Sequence, residues 1–107
     1  MKRLALVAVM VGIAGGANAD FYDGNKILTF CETDRAAAYG YVAGVIDFHE
    51  YYVVQTYGEP FFCLPEGVTV RQVTDIACDH IEKHIASRHL GAGGLVQGAL
   101  NIAFPCP

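Results

Sequence analysis

The sequence predicts an all-α fold: a small bundle of about four helices stapled by two disulfides. Three observations carry that expectation. Apolar residues recur at helical spacing in stretches bounded by capping residues, glycines and prolines. No stretch alternates convincingly as a strand. Four cysteines sit in one short chain whose first residues read as an export signal.

Lys2 and Arg3 form a basic start, Leu4 to Ala19 is apolar and small, and the run ends in Ala17-Asn18-Ala19. That is the pattern of a secretory signal peptide with an A-x-A cleavage site. The apolar run is too short and glycine-rich for a good membrane span. No cysteine follows the cleavage site, which argues against a lipoprotein anchor. The expected organisation is a signal peptide at 1–19 and one helical domain at 20–107, with no membrane attachment after cleavage.

A domain this short buries a modest core, so covalent staples matter. Loss of Lys2 and Arg3 takes seven basic residues to five, against eleven acidic, a formal charge of −6. That balance disfavours nucleic acid and anionic membranes and suits a basic protein partner.

The first helix is expected from about Gly24 to Asp34, with Asp23 as its cap. Ile27, Leu28 and Cys31 share one side of it. The second runs from about Arg35 to Tyr57 and is apolar nearly all round through Ala36–Phe48, as a buried central helix would be. Gly40 and Gly44 line one stripe and predict the close approach of another helix. Val53-Val54 is β-prone and leaves the helix end open. Tyr39, Tyr41, Tyr51, Tyr52 and Tyr57 crowd this helix and point in several directions. A surface patch, such as a dimer face, and packing at the core edge explain them equally well.

Gly58, Pro60, Pro65 and Gly67 punctuate a connection. Thr69 to Gln72 has the form of a capping box and opens the third helix. Val70, Val73, Ala77, Ile81 and His84 keep its stripe, widened by Cys78 and Ile85. Ser87 to Gly91 breaks the pattern. Gly91 caps a fourth helix with Leu95, Val96, Ala99, Leu100 and Ala103 on its buried face, and Pro105 ends it.

Four cysteines allow three disulfide connectivities. Pairing Cys63, in the connection, with Cys106, between two prolines, would tie down a fraying tail. Cys31 and Cys78 fall on apolar helix faces, which favours a bridge across the core. A loop of roughly forty-five residues makes each such bridge worth about 4 kcal/mol in the chain-entropy model. No CxxC occurs, so neither a redox motif nor a zinc ribbon is suggested.

Catalytic chemistry finds little support, and the expectation is that the chain is not an enzyme. His80 and His84 are one helical turn apart, but the order H-I-E-K-H misplaces the glutamate of zinc proteases. With Asp79 and His89 nearby they still fall short of a structural metal site, so no metal and no cofactor is expected. Ser87 is the only serine and has no G-x-S-x-G elbow. Asp47, in an apolar helix, reads as a carboxylate hydrogen-bonded by a tyrosine or a backbone end.

Phe21-Tyr22-Asp23-Gly24-Asn25 leads into Ile27-Leu28 and Cys31. Gly40-Tyr41-Val42-Ala43-Gly44-Val45 then precedes Asp47. Phe62-Cys63-Leu64-Pro65-Glu66-Gly67-Val68-Thr69 runs on to Gln72, and the chain closes on Ala103-Phe104-Pro105-Cys106. This order resembles the Rap/Tai family of periplasmic immunity proteins across the whole chain after the signal. The resemblance implies a periplasmic helical protein, typically a homodimer, that binds and inhibits a peptidoglycan amidase delivered by type VI secretion. It further implies that a protruding loop between helices blocks the papain-like enzyme's cleft. By position that loop is Ile85, Ala86, Ser87, Arg88, His89 and Leu90, with Arg88 and His89 as contact residues. The family pattern carries a cysteine near Ala37-Ala38 and a proline near Ile85; this chain has Cys78 instead of the former and lacks the latter. The rival reading is a periplasmic structural or chaperone-like module with no specific toxin.

Overall fold

The computed structural model describes residues 21–107, so the signal peptide expected at 1–19 lies outside the described residues. Among those described, the fold is an all-α bundle of four helices: α1 Gly24–Thr33, α2 from Arg35, α3 Val70–Lys83 and α4 Ala92–Ala103. No helix among them is long and apolar enough to cross a membrane.

Asp23 starts α1 by accepting the Lys26 N–H at 2.9 Å. Asp34 then serves two helices. Its own N–H closes α1 on the Phe30 carbonyl at 2.8 Å. Its carboxylate opens α2 by accepting the Ala37 N–H at 3.2 Å. A single residue therefore turns the chain between two helices.

α2 is α-helical over Arg35–Phe48, widens into a π-helical turn at His49–Val53, and finishes as Val54–Tyr57. The turn shows in the bond from the Val54 N–H to the His49 carbonyl. It holds His49 and Val53 both inside the bundle while Tyr51 and Tyr52 face out. Gly58, at φ +75°, ends the helix in the left-handed region. Thr69 opens α3 by accepting the Gln72 N–H at 3.1 Å.

The core lies in two parts. Val42, Phe62, Val73, Ala77, Val96 and Leu100 close the space between α2, α3 and α4. Ile27, Ile81 and Ala92 close the space between α1, α3 and α4. Half-buried Tyr41 packs against both. Cys31–Cys78 joins α1 to α3, and Cys63–Cys106 joins the long connection to the tail. The tail is held further by Cys63 N–H on the Phe104 carbonyl at 2.9 Å.

Four expectations need correction. α2 is buried on one face, through Ala38, Val42, His49 and Val53, and not all round. Gly40 and Gly44 lie on its opposite face, exposed, with no atom within 4 Å of a Cβ placed there. The close approach belongs to Gly24, where a Cβ would meet the Leu95 side chain at 2.6 Å and the Arg88 carbonyl at 2.8 Å. The α3 stripe also stops early. His84 leaves helical geometry at φ −111° and ψ 67°, so Ile85 falls out of register and is 71% exposed. At the other end Val70 is 44% exposed, and in α4 Ala103 is exposed. Asp47 is exposed as well, so solvent rather than a tyrosine satisfies its carboxylate.

Candidate partner-binding surface

The segment after α3 is built on a clamp. Ile85–Ser87 forms one 3-10 turn, entered by the Ser87 N–H on the His84 carbonyl at 3.0 Å. Leu90 N–H returns to the Ser87 carbonyl at 3.0 Å. The first N–H groups of a helix have no partner within it. In α1 two of them use this segment: Gly24 N–H donates to the Leu90 carbonyl at 3.1 Å, and Asn25 N–H to the Arg88 carbonyl at 3.0 Å. Asn25 Nδ2 reaches the same Arg88 carbonyl at 3.3 Å. Ala92 N–H donates to the Tyr22 carbonyl at 3.0 Å, and Asp23 and Gly91 form an isolated bridge.

Arg88 is the second support. Its Nε donates to the Ile81 carbonyl at 3.2 Å, and its Nη2 to the Glu82 carbonyl. These are carbonyls of the last turn of α3, where a cation is favoured by the helix dipole. The guanidinium is spent inside the protein, and Arg88 is half-buried. The residues the segment offers outward are Ile85, at 71% exposure, Ala86, His89 and Leu90, at 49%; Ser87 is half-buried.

His80 and His84 stand at the foot of this segment. Their rings stack with centroids 4.0 Å apart, and His84 Nδ1 donates to the His80 carbonyl at 2.7 Å. Burial holds the His80 pKa below its usual 6.5, the charge of His84 adds to that, and Asp79 opposes it. No group of three or more His, Cys, Asp or Glu side chains among the described residues is placed to hold a metal ion.

A second uncovered face lies across α2 and α4. Gly40, Gly44, Phe48 and Gly93 line a groove of about 390 Å³ there. Phe48 is 57% exposed and stacks on Tyr52 at 5.2 Å between centroids. Tyr51 and Tyr57 are exposed at 75% and 64%. Tyr39 is half-buried beside Arg35, and Tyr41 belongs to the core edge. The tyrosines thus divide between both of the roles the sequence allows.

Sequence reasoning missed the clamp partners Tyr22, Gly24 and Asn25. A glycine directly after a capping aspartate was the available signal, because a residue with no side chain there admits another backbone.

Comparison with curated proteins and with solved structures returns no significant match. A family model described as Rap1a immunity proteins matches residues 23–106, which takes in all four helices, both disulfides and the clamped segment. The chain belongs to the Rap1a immunity proteins.

Proposed function

We propose that this protein is exported to the periplasm and neutralises a peptidoglycan amidase delivered by type VI secretion. The segment Ile85–Leu90 enters the enzyme's cleft, and the protein acts by occupancy rather than by catalysis. The observation that carries the reading is the exposure of Ile85, His89 and Leu90 on a backbone fixed by α1 and by Arg88. A loop already held in one shape loses little ordering entropy on binding. Two disulfides suit an oxidising compartment, and membership of an immunity family supports a secreted effector as the target. Arg88 is a positioning residue in this reading, and the contacts fall to Ile85, His89 and Leu90.

A homodimer through the Gly40–Gly44 face belongs to the same reading. Bare glycine backbone beside an exposed Phe48 suits the close approach of a second copy.

The test is protection. Neighbouring secreted genes are expressed in the periplasm with and without this chain, and lysis is scored. The expected result is one amidase whose toxicity this chain removes and whose inhibition Ile85→Asp with Leu90→Asp abolishes in a folded variant. Full protection by a folded protein with a scrambled 85–90 segment places the contact elsewhere, with tyrosine-rich α2 the next candidate. If no secreted enzyme is neutralised, the rival structural module stands. Size-exclusion chromatography with Gly44→Arg tests the dimer.

A further inference from the structure

Two adjoining hollows run along one side of α2, between it and the connection to α3. The first, about 190 Å³, is walled by Ile46, Leu64 and Val73 and carries Asp47. The second, about 330 Å³, is walled by Val54 and Phe62 and carries Glu50. Leu64 lines both, so they form one groove. Asp47 and Glu50 are the only side chains lining it that carry charge, and no Lys, Arg or His offsets them there. Asp47 takes part in no ion pair among the described residues, and Glu50 reaches only the His49 Nδ1, at 3.1 Å, keeping 59% exposure.

An apolar wall edged by an unmatched carboxylate fits an amphipathic cation. Lys and Arg lay their methylene stems on apolar surface and keep the charged head in water. A head so placed makes a charge-assisted bond to the carboxylate. Residues three apart on a helix are neighbours on its surface. Alternate side chains of an extended strand point the same way, roughly 7 Å apart. We infer that this groove takes an extended segment of a partner protein with Lys or Arg at alternate positions, one head to Asp47 and one to Glu50. The formal charge of −4 over the whole chain favours the same partner. The groove lies by Val70, at the start of α3, whereas Ile85–Leu90 follows its end. Fourteen residues of helix separate the two surfaces, about 20 Å. The inference therefore stands whether or not the segment 85–90 contacts an amidase.

The test is an NMR titration of the oxidised protein with a blocked Ala-Lys-Ala-Lys-Ala peptide, against the same peptide with Glu in place of Lys. The Lys peptide is expected to shift the amides of Ile46, Asp47, Glu50, Leu64 and Val70, more weakly as salt rises. The Glu peptide is expected to shift none of them. Asp47→Asn, at a side chain with no ion pair to lose, should weaken binding about tenfold. Absence of shifts at these amides, or equal affinity in Asp47→Asn, overturns the inference. An equal response to spermidine also overturns it, by making the groove a site for small cations.

Discussion

His49 stacks on Phe62 with ring centroids 3.9 Å apart and planes inclined by 17°. Both rings are fully buried. His49 Nε2 accepts the Phe61 N–H at 2.9 Å, so the neutral ring carries its hydrogen on Nδ1, which faces Glu50 at 3.1 Å. The imidazole thereby ties the π-helical turn of α2 to the connection that holds Cys63. His49→Phe keeps the ring and removes the acceptor. It should cost about 1–3 kcal/mol, the desolvation of an orphaned backbone donor. Urea unfolding of the oxidised protein checks this, and an unchanged midpoint would show that the hydrogen bond contributes nothing.

Arg88→Ala should destabilise the protein by about 1–2 kcal/mol, because two carbonyls of the last α3 turn lose a charged donor. Arg88→Lys should recover part of that, since an ammonium supplies the charge without the planar fork. Thermal unfolding of the three proteins orders them. A fully stable Arg88→Ala variant would return Arg88 to the role of a free contact residue.

Gly24→Ala drives a methyl group against the Arg88 carbonyl at 2.8 Å and the Leu95 side chain at 2.6 Å. One contact is backbone, so the segment must move, at roughly 1–3 kcal/mol for overpacking. Hydrogen exchange at the Gly24 and Asn25 amides should speed up, because both donate to that segment. Unaltered exchange would mean that the clamp tolerates the methyl group.

His80 gives the stability a pH dependence. Burial lowers its folded pKa below the 6.5 of the open chain. The unfolded chain therefore takes up the proton first as pH falls. The stability present above pH 6.5 declines on acidification through the interval between 6.5 and the lower folded value. His80→Gln should flatten this part of the profile of melting temperature against pH. A profile unchanged by the substitution would assign the slope to another group.

The bundle was legible because its signals are local. Asp23 and Thr69 announce helix starts, Gly58 an end, and the Val73–Ala77–Ile81 spacing a buried face. The cysteines were legible because Cys31 and Cys78 lie on helix faces and Cys106 sits in a tail. What escaped depends on contacts distant in sequence. Arg88 reads as a loop residue free to bind, yet its fork closes on α3. Gly40 and Gly44 have the spacing of a packing stripe, but Ala38 and Val42 turn the other side of α2 to the core. The π-helical turn has no sequence signature at all. It accommodates a histidine whose acceptor role is set by Phe61, twelve residues on.

The two disulfides interleave. Cys31–Cys78 spans 47 residues and Cys63–Cys106 spans 43, and the stretch from Cys63 to Cys78 lies inside both rings. Any one peptide bond cut between Cys31 and Cys106 is therefore bridged by at least one intact ring. A protease that nicks this region once releases no fragment. The nicked chain remains a single covalent molecule, and its cut ends stay tethered near the positions from which they can close again.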